Sequence, residues 1–311
     1  MTTPRFLLAL RTHWPEYLME AAGLGLFMVS AGLFGTLLEY PQSPVHRAIA
    51  DPLFRRALMG LAMGLTAVGI IYSPWGKQSG AHINPATTLT FWRLGKVAGW
   101  DALFYIAGQF AGGLAGVLLV AALLGDSFLL PPVAAVATVP GVQGAAAAFA
   151  AEGAMTFVLM LMVLFTTNAA SVARYTGLGV GLLLIVYITL EAPLSGMSLN
   201  PARTFASAWP GNAWTALWVY FTAPPLGMLA AAQTYLWLRG SAAVHCAKLH
   251  HQNEKRCIFC AGRAARRDAE AVKSSPAFVA RAPGLSRSAT HGSAAPRLLR
   301  SFVCLHSLTT T

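Results

Sequence analysis

Apolar residues in this chain fall in long runs separated by short polar breaks. The runs cover about Tyr17–Leu38, Ala57–Tyr72, Ala98–Leu124, Gly144–Thr167, Gly177–Leu190 and Ala213–Leu238. Runs of about 20 apolar residues match the length a helix needs to cross the hydrocarbon core of a bilayer. Six spanning helices are therefore predicted. Two further pieces, Thr88–Trp92 and Thr204–Trp209, are too short to cross. Each is introduced by one copy of a repeated nine-residue stretch. The first is Ser79-Gly80-Ala81-His82-Ile83-Asn84-Pro85-Ala86-Thr87, and the second Ser195-Gly196-Met197-Ser198-Leu199-Asn200-Pro201-Ala202-Arg203. Asn is a favoured N-cap, and Pro at the first helical position gives up an N–H that would have had no partner. Both stretches thus read as starts of half-helices whose positive dipole ends aim at something polar. Each half of the chain reads span, span, half-helix, span. An odd number of spans per half makes the second copy inverted relative to the first.

Composition sharpens the class. The chain is 56% hydrophobic and 11% charged, against about 25% charged for an ordinary soluble domain. The net charge of +11 divides unevenly. Residues 1–238 hold ten Lys/Arg against eight Asp/Glu, which is +2, while residues 239–311 hold twelve against three, which is +9. Cys246, Cys257, Cys260 and Cys304 all lie beyond residue 238 as well. The expected organisation is a short N-terminus (1–15), a membrane domain (16–238, with halves 16–124 and 144–238) and a basic, mostly disordered tail (239–311). No removable signal peptide is expected. Lys and Arg concentrate on the side of the N-terminus, Lys77, Arg93, Lys96, Arg174 and the tail, which assigns both termini to the cytoplasm and the protein to the cell membrane. Arg47, Arg55 and Arg56 stand on the other side. With most of the net charge and all the cysteines beyond residue 238, deletion of residues 245–311 is expected to leave transport unchanged.

A single Asn-Pro-Ala is an ordinary capped turn; the matched pair in two apolar halves is a more specific signal. Together with Glu20 and Glu152 early in each half, and Arg203 directly after the second motif, it resembles the aquaporin, or major intrinsic protein, family over about residues 15–238. The resemblance implies an all-α membrane fold of six transmembrane helices and two re-entrant half-helices, assembled as a homotetramer. It also implies a single-file path for water or small neutral solutes, with Asn84, Pro85, Ala86, Asn200, Pro201 and Ala202 at its centre. A second constriction falls on Arg203, Ile188, Met197 and either Met63 or Gly64. That aliphatic ring matches neither the His/aromatic pattern of water-specific members nor the aromatic pattern of glycerol-conducting ones. Thr204, Ala208, Tyr220 and Phe221 lean towards the water-channel branch.

The bottom-up reading of the remaining polar residues is less dramatic. Glu20 and Glu152 could relay protons, but their expected role is to accept hydrogen bonds from unpaired N–H groups of the re-entrant loops. His82 is expected to orient its loop. No nucleophile–base pair appears in the spans, so no catalytic residue is expected, and the protein is read as a non-enzyme. No cofactor, metal or nucleic-acid partner is expected either. The tail carries zinc-type ligands in His245, Cys246, His250, His251 and Cys257-x-x-Cys260, but no second Cys-x-x-Cys completes a set. Its basic charge is expected to meet anionic lipid head groups of the bilayer. The rival readings are a glycerol, urea or metalloid conduit and a poorly conducting structural membrane protein.

Overall fold

The computed structural model describes residues 4–260. By internal contacts the chain divides into Met1–Ala264 and Ala265–Thr311, and the second unit lies outside the described residues. The described part is helical, with no strand among the described residues. Its principal elements are α1 (Arg5–Glu39), α2 (Pro52–Tyr72), the short α3 (Pro85–Arg93), α4 (Gly99–Leu124), α5 (Gly144–Thr167), α6 (Thr176–Leu190), the short α7 (Pro201–Gly211) and α8 (Leu217–Arg239). Five of the long helices are apolar and long enough to cross a membrane. The sixth, α8, is 23 residues long and carries Pro224 and Pro225.

Helix α1 starts about a dozen residues before the predicted span. At 35 residues it is about 52 Å long, well beyond the ~30 Å hydrocarbon thickness, so its first turns stand clear of the membrane core. They are tied to the start of α4: the Tyr17 hydroxyl donates to Asp101 Oδ1 at 2.6 Å, and His13 Nδ1 lies 2.8 Å from the same oxygen. At the far end, Arg55 bonds Glu39 at 3.2 Å and the carbonyls of Ile49 and Ala50 at 2.8 and 3.0 Å. This arginine, which runs against the positive-side pattern, is used to join α1 to α2. Asp51 caps α2 by accepting from Phe54 N at 2.7 Å, with Pro52 at the first helical position.

The inverted repeat is visible in the packing. Helix α1 packs on α4, α5 on α8, and α2 on α6 across the two halves. The small residues of the sequence sit where backbones nearly touch. A Cβ on Gly112 would fall 1.9 Å from Ala21 O, and one on Gly116 would fall 2.4 Å from Gly25 O. In the second half a Cβ on Gly227 would fall 2.3 Å from Gly153 O. Backbone cannot step aside as a side chain can, so Gly112→Val is expected to cost about 3 kcal/mol or more through overpacking. Gly69, with nothing within 4 Å of its would-be Cβ, provides the control, and Gly69→Ala should be neutral or slightly stabilising. Thermal unfolding of both variants in detergent checks the contrast.

The tail expected to be mostly disordered is ordered over its first part. Residues 241–260 are packed: Val244, Cys246, Ala247, Leu249, Ile258 and Phe259 join the same apolar cluster as Phe91, Tyr105 and Met228 of the membrane domain. The tail has too few large apolar residues for an independent core, and this segment borrows the core of the helical domain. The expectation for residues 261–311, including Cys304, lies outside the described residues.

Candidate functional site

Two loops of the same form converge between the helices. In each, a Gly in the left-handed region (Gly80, φ 102°; Gly196, φ 77°) follows a short helical turn. Two non-glycine residues then also take positive φ: Ala81 (54°) and Ile83 (40°) in the first loop, Met197 (51°) and Leu199 (58°) in the second. Such conformations cost on the order of 1–3 kcal/mol each and persist only where the surroundings hold them.

Here they are held by the two buried carboxylates. Glu20 accepts from Ser79 Oγ (2.7 Å), His82 N (3.0 Å) and Ile83 N (2.6 Å), and Gln109 Nε2 adds a bond of 2.8 Å. Glu152 accepts from Ser195 Oγ (2.9 Å), Ser198 N (2.6 Å) and Leu199 N (2.7 Å). Two tyrosines complete the symmetry: Tyr105 donates to Ser79 O at 2.7 Å, and Tyr220 to Ser195 O at 2.6 Å. The serine and tyrosine pairs were not singled out from sequence as supports. The signal was available, since Ser79 and Ser195 open the two copies of the repeat and each tyrosine sits in the span after its half-helix.

The half-helices start where the loops meet. Asn84 Oδ1 accepts from Ala86 N at 2.9 Å, and Asn200 Oδ1 accepts from Ala202 N and Arg203 N at 3.0 and 3.2 Å. Each amide nitrogen donates to the opposite loop: Asn84 Nδ2 to Leu199 O and Asn200 Nδ2 to Ile83 O, both at 2.8 Å. An amide has two hydrogens, so each Asn keeps one that has no partner among the described residues. Pro85, Ala86, Pro201 and Ala202 form the first turns and are buried.

Around these groups runs a path of two cavities. The narrower, about 90 Å³, is lined by Asn84, Asn200 and Arg203 with apolar walls that include Leu24, Ala67 and Leu159. The wider, about 480 Å³, is lined by Met63, Ile188, Met197 and Arg203. Arg203 borders both, and its Nη1 donates to Val136 O at 2.8 Å. The structure therefore brings together the four residues aligned to the second constriction. Between the two alternatives on α2, Met63 faces the cavity. A Cβ on Gly64 would instead fall 2.7 Å from Gly181 O, which points that position at α6. Thr204 is occupied inside its loop, bonded to Ser198 and, at 2.7 Å, to Thr138. Ala208 is buried and Phe221 half-exposed. His82 lies between Thr88 Oγ1 (3.1 Å) and Ala247 O (2.8 Å) and stacks on Phe91.

Six long helices, two opposed half-helices and a cavity between their N-termini define a polytopic membrane protein built as an inverted repeat. The family model for "Major intrinsic protein" matches residues 10–235, and the chain belongs to that family. It is 34% identical over 189 residues to aquaporin NIP2-3 of Zea mays, covering 60% of each chain. It is 36% identical to the probable aquaporin AqpM of Archaeoglobus fulgidus, covering 58% of this chain and 75% of that one. Against the putative aquaporin NIP4-1 of Arabidopsis thaliana the identity is 33%, over 72% and 71% of the two chains. The chain thus spans about 60% of the length of the maize relative. Among solved structures, the aquaglyceroporin of Plasmodium falciparum superposes with a TM-score of 0.62 at 22% identity, covering 72% of this chain and 96% of that one. Members of this family are channels rather than enzymes. Nothing in these relatives separates a water channel from a solute channel.

Proposed function

We propose that the protein is a passive channel for water that also admits small neutral solutes. The observation that supports this best is the pair of half-helix N-termini facing one cavity, each with one uncommitted amide hydrogen on Asn84 or Asn200. A permeant in the apolar narrow cavity loses most of its hydration. Sparse donors on Asn84, Asn200 and Arg203 replace part of it. Ions forfeit more solvation than so few donors return. Protons meet a positive barrier, because two helix N-termini and a guanidinium lie where a water wire must pass. The reading includes the homotetramer, cytoplasmic termini and cell-membrane location expected from sequence.

A second reading, a glycerol-, urea- or metalloid-conducting channel, draws on the ring of Met63, Ile188, Met197 and Arg203. Met side chains are unbranched and adaptable, and Ile188 offers no donor. The relative from Plasmodium named an aquaglyceroporin fits that reading; Thr204, Ala208 and Tyr220 favour the first. Stopped-flow light scattering of reconstituted vesicles discriminates them: under the first reading water flow far exceeds solute re-entry, and under the second solute re-entry is fast as well. Fast osmotic shrinkage is expected, followed by measurable re-entry of glycerol or urea. The double variant Met63→Phe plus Ile188→His should cut solute re-entry about tenfold and water flow less, the scale on which one or two kcal/mol of fit acts. If the wild type excludes both solutes completely, the ring is a narrow water filter.

A further inference from the structure

The tail segment that packs against the helical domain carries a second site. Cys246 Sγ lies 3.5 Å from Cys257 Sγ and 3.5 Å from Cys260 Sγ, and Cys260 Sγ lies 4.0 Å from His251 Nε2. All four ligand atoms fall within 4.8 Å of one another. These separations are far beyond a disulfide bond of about 2.05 Å. They approach the edges of a tetrahedron around zinc: Zn–S of about 2.3 Å and Zn–N of about 2.05 Å give edges of about 3.8 and 3.6 Å.

We propose that Cys246, His251, Cys257 and Cys260 bind one zinc ion or a similarly soft divalent cation, and that the metal clasps residues 244–260 across the tail-side mouth of the channel.

Three independent features carry this. First, the segment has almost no regular secondary structure, and the bonds within its turn are few and short-range, such as Asn253 Nδ2 to His250 O at 2.6 Å and Asn253 Oδ1 from Lys255 N at 2.8 Å. A short loop with so little internal structure gains its order from a metal in many small zinc modules. Second, Lys248 is only 1% exposed and donates to Arg256 O and Lys255 O at 2.6 and 3.3 Å, just before Cys257. A buried ammonium needs a compensating anion. Zn²⁺ with three thiolates and a neutral imidazole carries a net charge of −1 at that place.

Third, the segment reaches the conducting path. The wide cavity is bounded by Leu38 and Glu39 at the end of α1 and by Pro52 and Arg56 at the start of α2. The narrow one is bounded by Leu24 and Ile71, further into the membrane domain, and by Leu249 of the tail. Leu249 N donates to Gly80 O at 3.1 Å, Ala247 O is bonded to His82, and Phe259 stacks on the His82 ring at 5.6 Å. The strap is anchored in both halves: His245 N to Asn168 Oδ1 (2.7 Å), Gln252 Nε2 to Ala170 O (3.1 Å), and Arg256 Nη2 to Thr12 O (2.8 Å). The sequence reading expected no metal because it looked for a second Cys-x-x-Cys. Cys246 and His251 complete the set from a different spacing. It also expected the tail to be dispensable for transport, which the strap reverses.

The test uses the full chain, purified without a histidine tag, stripped with a chelator and re-exposed to zinc alone. The expected result is about one retained zinc per chain by mass spectrometry, and the visible bands of tetrahedral cobalt thiolate when cobalt(II) replaces zinc. Retention should be lost in Cys257→Ser and Cys260→Ser. Zinc should also slow alkylation of Cys246, Cys257 and Cys260 relative to the chelator-stripped wild type, a readout that needs no variant to fold. No retained zinc, or alkylation of the three cysteines at the same rate with and without zinc, would overturn the site. In vesicles, chelation should raise water flow severalfold; retained zinc with flow unaffected by chelation would overturn the closure. The flow measurement rests on the channel reading and zinc retention does not, so failure of one is distinguishable from failure of the other.

Discussion

Asn200→Leu is expected to bring water flow down to the level of protein-free vesicles while the protein still inserts. The side chain makes three bonds in the native state, capping Ala202 N and Arg203 N and bridging to Ile83 O. Losing an N-cap costs about 1 kcal/mol, which a protein of ordinary stability survives. The transport loss is larger because of where the group sits. In a cavity of about 90 Å³, leucine removes the one amide hydrogen left for a permeant and fills its place with apolar bulk. Asn84→Leu should act alike through Leu199 O. Flow normalised to the amount of folded protein checks this, and near-native flow in well-folded variants would count against the donor role.

The second large effect is structural. Glu152→Leu strips acceptors from Ser195, Ser198 and Leu199, leaving two backbone N–H groups buried beside residues in left-handed conformations. Leaving buried donors without their acceptor costs about 1–3 kcal/mol each. The sum is on the order of 4 kcal/mol or more, a large share of a typical folding stability. Loss of folded protein in detergent is expected, with Glu152→Gln intermediate because it keeps one acceptor oxygen. Glu20→Leu should be at least as severe, since Gln109 Nε2 also loses one of its two acceptors and keeps only Thr88 Oγ1. If Glu152→Leu instead folds normally, the carboxylate does not hold the loop; a wild-type proton flux that the variant loses would mark it as a relay.

The inverted repeat and the helix positions were legible because they rest on periodicity and on an Asn-Pro start spelled twice. The roles expected of Glu20 and Glu152 follow from the same logic, since loops in an apolar medium must satisfy their N–H groups within the protein. What sequence could not supply depended on the third dimension. Met63 and Gly64 are adjacent, and only the closeness of Gly181 separates cavity wall from helix contact. The early start of α1 escaped notice because Arg11, Thr12, His13, Pro15 and Glu16 interrupt the apolar run between Phe6–Leu10 and Tyr17. The strap was misread because its apolar residues are too few for a core of their own, and nothing in a linear reading brings Cys246 to Cys260 or Leu249 to Asn84.

The central claim is that a permeant passes between the two half-helix caps. It is tested most directly by osmotic shrinkage of vesicles holding the full chain, measured with and without a chelator against protein-free vesicles of the same lipid. The account predicts shrinkage well above the lipid background after chelation, with no accompanying proton flux. Shrinkage at the lipid background in both conditions, from protein verified as folded, would contradict it.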